Sequence, residues 1–224
     1  MTFFAPQRFR HPLASDESST VGWPPAVADV RPAMSFLAST LVGSYTLNFA
    51  VVLLLVAIVH GVPAPSGNEY LYLLVPAKHA TPEYLLNDWT LSQPWTTHYV
   101  FNAVIGPATR LMPLELVGWI GRLACWLLTT LALFRLGSRF QIPRAAIAFS
   151  VALWVLLGQA VVAGDWIYGG FEAKTVAYVL VLFALDAFLS ERWILASALL
   201  GSAFSFHPQV GLWSALAVGT LPMR

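Results

Sequence analysis

The chain has 224 residues, 58% of them hydrophobic and 10% charged, with a net charge of +1 and a mean hydropathy of +0.68. Soluble domains carry about 25% charged residues, so this chain lacks the charge to face water on all sides and the bilayer is its expected solvent. Twelve scattered Lys and Arg argue against a nucleic-acid partner. One cysteine, Cys125, excludes an internal disulfide and a thiolate zinc cluster; inside an apolar run it reads as a small filler.

Residues 1–34 are polar and rich in Pro, Ser and Arg. They read as a disordered cytoplasmic leader without a secretory signal, with Arg8, Arg10 and Arg31 setting topology. The remainder, 35–224, reads as one transmembrane helical domain. Residues 36–62 are long and apolar enough for a first span, stopped by Pro63 and Pro65. A polar interval follows, with a first outer loop over 63–101. It holds Glu69, Glu83 and Asp88, His79 and His98, and several Tyr and Trp. Residues 102–112, interrupted by Gly106-Pro107, are expected to form a helix that lies at the interface or dips into the membrane.

Further spans are expected over 114–136, 145–163 and 175–189. A fifth begins at Trp193 and breaks at His207-Pro208, after which 209–221 is apolar again. Arg135, Arg139, Arg144 and Arg192 alternate with the polar connectors in a way that fits the positive-inside rule. That topology places Glu69, Glu83, Asp88, Asp165, Glu172, His79 and His98 on the outer side, with His207 near it and a second outer loop over 164–174. Charge sorting alone also yields an acidic outside, so the segregation by itself does not define a site.

Individual residues carry alternatives. Glu69, held near the membrane surface, is a proton acceptor, a helix-start residue or a solvated loop acid. Asp88 can cap a helix or bind a cation or a sugar hydroxyl. Asp165 and Glu172 offer oxygen ligands to a divalent metal, although no spacing fixes a metal motif. Arg122 lies in mid-span, where an unpaired guanidinium is costly. Its expected partner is Glu115, two turns earlier, or an anionic phosphate. Asp186 is expected to snorkel and pair with Arg192. His207-Pro208 breaks a helix at a depth where such breaks line a cavity or form a simple kink.

The order of these features resembles the type-C fold of membrane glycosyltransferases, which includes oligosaccharyltransferase catalytic subunits and protein mannosyltransferases. Asn68-Glu69-Tyr70 stands where that group has its acidic opening motif, and Asn87-Asp88-Trp89 and Thr97-His98-Tyr99 resemble its later elements. Gly121-Arg122-Leu123 resembles its Arg-containing span, and the stretch from Ala163 to Glu172 its second acidic loop. Phe206-His207-Pro208 with Gly211-Leu212-Trp213 is similar to poorly characterised bacterial multi-pass proteins grouped near this fold.

The resemblance implies an all-α, polytopic transmembrane helical bundle of about five to six spans, with helices in its outer-face loops, in a bacterial inner membrane. It implies sugar transfer from a polyprenyl-phosphate donor by in-line displacement. Glu69 or Asp88 would be the catalytic base. Asn68, Tyr70, Trp89, His98, Arg122, Trp166, Lys174 and His207 would bind substrate, and Asp165 and Glu172 would hold a metal if one is used. Asn68 departs from the pattern, because an amide cannot replace the usual acid as a base. The family's greater length implies a missing C-terminal part or a membrane-protein partner. The competing expectation is a non-catalytic membrane subunit, or a lipid-binding or transporter fragment.

Overall fold

A computed structural model of the chain describes residues 44–94, 97–159 and 166–220. The leader, the start of the first span at 36–43, and Asp165 lie outside the described residues. Among the described residues the secondary structure is helical, with no strand. In chain order the helices are α1 (Tyr45–His60), α2 (Glu69–Ala80), α3 (Trp89–Ser92), α4 (Tyr99–Leu111), α5 (Leu114–Arg139), α6 (Arg144–Leu156), α7 (Ala173–Phe188), α8 (Trp193–Phe206) and α9 (Pro208–Gly219).

Local chemistry sets these boundaries. Ser44 opens α1 by accepting from the Leu47 amide at 3.3 Å. Pro113 and Pro143 precede α5 and α6, where a missing N–H costs nothing. Glu172 opens α7 as one half of a capping box with Thr175, its amide donating to Thr175 Oγ1 at 3.1 Å. Pro208 cannot continue α8, so α9 starts there, and the His207 imidazole accepts from the Val210 amide at 3.3 Å.

Two apolar clusters organise the packing. One joins α1, α5 and α6 around Val52, Val56, Trp126, Phe134 and Val151. The other joins α2, α4, α5 and α7 around Leu73, Phe101, Val117, Cys125 and Val179. A smaller cluster fastens α8 and α9 to α7 through Ala177, Ala203 and Val210. Cys125 is buried among apolar neighbours, as a filler would be.

The outward surfaces are apolar as well. Leu54, Ile58, Phe149, Ile194 and Trp213 are all exposed. Helices apolar on every side are those of a large core or of a membrane. Among the described residues, α5 is the one helix long and apolar enough to cross a bilayer; α1, α6 and α8 are shorter apolar helices. At 26 residues, α5 is about 39 Å long, more than the roughly 30 Å hydrocarbon core requires.

Gly121 lets α5 approach the connector before α7. A Cβ there would sit 2.2–2.5 Å from ring carbons of Phe171, whereas one at Gly201 would meet nothing within 4 Å. Gly121→Ala is therefore expected to lower stability by about 1–3 kcal/mol through overpacking, with Gly201→Ala near neutral. Thermal unfolding of the two variants in one detergent checks this.

Candidate functional site: a polar end of the bundle closed by a buried ion pair

The two polar connectors meet at one end of the bundle. Glu69, in the first turn of α2, is fully buried, and so is Arg122, two turns into α5. Arg122 Nε donates to Glu69 Oε1 at 2.9 Å, and its Nη2 donates to Glu69 Oε2. The same guanidinium donates to the Val62 carbonyl at 2.5 Å and to Ser66 Oγ at 2.9 Å, and lies 5.2 Å from the Trp119 ring centre. Glu69 accepts in addition from the Ser66 amide at 2.9 Å and from the Phe171 amide, of the second connector, at 2.6 Å. The expected partner, Glu115, is exposed at the start of α5. Seven residues separate it from Arg122, so the two share a face but stand about 10 Å apart along the axis, beyond the spacing at which helix side chains are neighbours.

The Ser66 amide donates to Glu69 Oε2 across the turn that leads into α2, whose first residue is Glu69. Glu69 thus closes the turn into α2, pairs with Arg122 and anchors the second connector together. Its two oxygens are committed, which leaves it poorly placed to take a substrate proton.

The second connector enters the bundle instead of lying on its surface as a polar loop. Tyr168 is fully buried, its hydroxyl 2.8 Å from Thr130 Oγ1, and burial pushes its phenol above the ordinary range. Trp126 Nε1 donates to the Gly169 carbonyl at 2.9 Å. Gln159 fixes the connector from the other side. Its Oε1 accepts from the amides of Ile167 and Tyr168 at 3.1 and 2.7 Å; its Nε2 donates to the Tyr168 carbonyl and to His60 Nε2, each at 2.8 Å. Gln159, His60 and Tyr168 were not expected to matter. Gln159 could have been found as the one side-chain amide in its apolar run, since intramembrane polar groups are rarely idle.

Lys174 lies 3.6 Å from Glu172 and 4.3 Å from the Trp166 ring centre. Glu172 is buried in its capping role, an arrangement that competes with metal ligation. Among the described residues no group of three or more His, Cys, Asp or Glu converges as a metal site. A hollow of about 270 Å³ lies against this connector, lined by His60, Ser66, Arg122, Gln159 and Trp166.

The histidines gather from distant positions. His98 heads α4 in the left-handed region (φ 57°), a conformation that clusters at functional sites. Its ring stacks on His207 with centres 4.8 Å apart. His98 Nδ1 donates to the Phe206 carbonyl at 3.1 Å, and Nε2 lies 3.4 Å from the Tyr72 hydroxyl. His98 borders two hollows. One, of about 240 Å³, is lined also by Asn68, Tyr72 and Asn102. The other, of about 590 Å³, is lined also by Tyr99, His207 and Gln209.

Other expected residues are exposed. Asp88 caps α3, accepting from the Leu91 amide at 2.9 Å, and faces outward, as do Tyr70 and Trp89. In comparisons with known proteins, the chain matches no protein family, no curated protein and no solved structure.

Removing one member of a fully buried pair strands the other. Arg122→Gln or Glu69→Gln is expected to cost about 3–5 kcal/mol. The apolar double replacement, Glu69→Leu with Arg122→Met, is expected to recover most of it. Thermal unfolding of the three variants in detergent measures the difference.

Proposed function

We propose that the chain is a membrane-embedded glycosyl-transfer module of the type-C kind, lodged in a bacterial inner membrane with its N-terminus in the cytoplasm and its polar end outward. The observation that carries this reading is the junction of the two connectors, the Phe171 amide on Glu69 at 2.6 Å. It joins the opening motif and the second loop at one end of the bundle, as the resemblance requires. In this reading the short apolar helices α1, α6 and α8 cross the bilayer beside α5, as does α7.

The donor is a sugar on a polyprenyl phosphate. Asp88, exposed at the head of α3, takes the proton from an acceptor hydroxyl. The freed oxygen attacks the anomeric carbon, whose bond to the phosphate oxygen breaks in line. The leaving phosphate is held by Lys174 and by the His98–His207 pair, while Tyr70, Trp89 and Trp166 stack on sugar rings. Arg122 serves the site indirectly, by holding Glu69 and through it the second connector. A divalent metal, if used, would draw on Asp165 and on Glu172 released from its cap.

A second reading is favoured by one observation: the acid of the opening motif is sealed in a structural pair beside an amide, Asn68. On that reading the chain is a non-catalytic, lipid-binding subunit. The test is incubation of the full chain in proteoliposomes with a panel of polyprenyl-phosphate sugars, read by mass spectrometry. Sugar transfer is expected for at least one donor, and Asp88→Asn is expected to slow it about 10²-fold or more. Donor bound but never consumed would assign the subunit reading.

A further inference from the structure

The opposite end of the bundle carries a second charge cluster with a different balance. Arg135 and Arg139 lie one turn apart on the last turns of α5, so they share a face. Asp186, in the last turn of α7, is 4% exposed. Arg135 reaches its Oδ2 through Nε at 2.9 Å and Nη2 at 2.6 Å, and Arg139 Nε donates to its Oδ1. The expected partner Arg192 is displaced from this role. It follows α7 in the chain, but the α5 arginines lie across the helix interface.

Two cations here meet one carboxylate, leaving a charge of +1. The excess is accessible, since the side chains of Arg135 and Arg139 are 49% and 35% exposed while that of Asp186 is 6% exposed. Each guanidinium has more N–H groups than it gives to Asp186. They border a hollow of about 290 Å³ walled by Tyr45, Phe134 and Ser138, with Asp186 as its one acidic lining residue among those described. Aromatic rings rim this end: Tyr45 lies under Arg144 at 5.6 Å, and Trp193, partly exposed, packs edge-on against Phe188 at 5.0 Å. Such rings collect where acyl chains meet headgroups.

We propose that this hollow binds the phosphate of an anionic phospholipid, with Arg135 and Arg139 as its donors and Asp186 as the buried anion with which the phosphate competes for them. Two guanidinium groups sharing one carboxylate, with Arg144 on the Tyr45 wall, favour an anionic guest, and basic pockets between membrane helices suit such headgroups. The site rests on the membrane reading above but not on sugar transfer.

The test uses the full chain in nonionic detergent, titrated with phosphatidylglycerol, with phosphatidylcholine of the same acyl chains, or with inorganic phosphate, and read by native mass spectrometry. Phosphatidylglycerol is expected to be retained at least about 5-fold better than phosphatidylcholine. Arg139→Gln is expected to weaken retention about 5-fold, and Arg139→Lys to keep most of it. Asp186→Asn removes the competing anion and is expected to strengthen retention, which a purely structural cluster would not do. Equal retention of the two lipids would overturn the proposal. So would binding of inorganic phosphate without lipid preference, or an Asp186→Asn variant that is monodisperse yet retains no more lipid. A chain monodisperse without detergent would retire this site and the membrane reading together, whereas an inactive chain that still selects the anionic lipid would retire sugar transfer alone.

Discussion

The ion pair between Glu69 and Arg122 is the contact on which the polar end depends. Two charges removed from water recover their solvation only when their geometry is good and their other hydrogen-bonding groups are satisfied. Here both conditions hold. Arg122 meets Glu69 side-on and also reaches Val62 and Ser66, while Glu69 accepts from two backbone amides. The pair therefore ties together the exit from α1, the start of α2, the middle of α5 and the connector before α7. Without Arg122, α5 would lose its hold on Glu69, Val62 and Ser66, and Glu69 would keep only the Ser66 and Phe171 amides.

Depth along α5 gives the pair a further meaning. Arg122 and Arg135 lie about 20 Å apart along the helix by its rise per residue, which is less than the roughly 30 Å core of a bilayer. On the proposed placement, which sets Arg135 and Arg139 at one interface, Arg122 would fall below the other, where an unpaired guanidinium is disfavoured. The polar end is then a recess held open by a structural pair, and the chemistry proposed for it falls to residues nearer its mouth: Asp88, His98, His207 and Lys174. The arginines at the far end face a different task, because one carboxylate is shared between two of them and their heads remain accessible.

Much of the helical order was legible in the sequence, because long apolar runs and proline punctuation act locally. The stop before Pro63 and the break at His207-Pro208 fall where the sequence puts them, whereas Gly106-Pro107 does not interrupt α4, which runs through it from Tyr99 to Leu111. The site was less legible, because its contacts are not local. Arg122 was matched to Glu115, the nearest acid on its own helix, yet its partner lies 53 residues away. Asp186 was matched to Arg192 for the same reason and is held from α5 instead. The connector around Tyr168 has the composition of a surface loop. Its burial comes from Gln159, Thr130 and Trp126, which offer hydrogen bonds from three separate positions. The local reading of Glu69 as a helix-start residue holds, since it is the first residue of α2.

The account requires that the two charged ends of the bundle face opposite sides of a membrane. Single cysteines placed at Glu83 and at Glu191, both exposed, measure this directly in intact cells treated with a membrane-impermeant thiol reagent; the native Cys125 is buried and should stay silent. The account predicts that Glu83→Cys is labelled from outside and that Glu191→Cys is labelled only after the cells are opened. Labelling of both from the same side would contradict it.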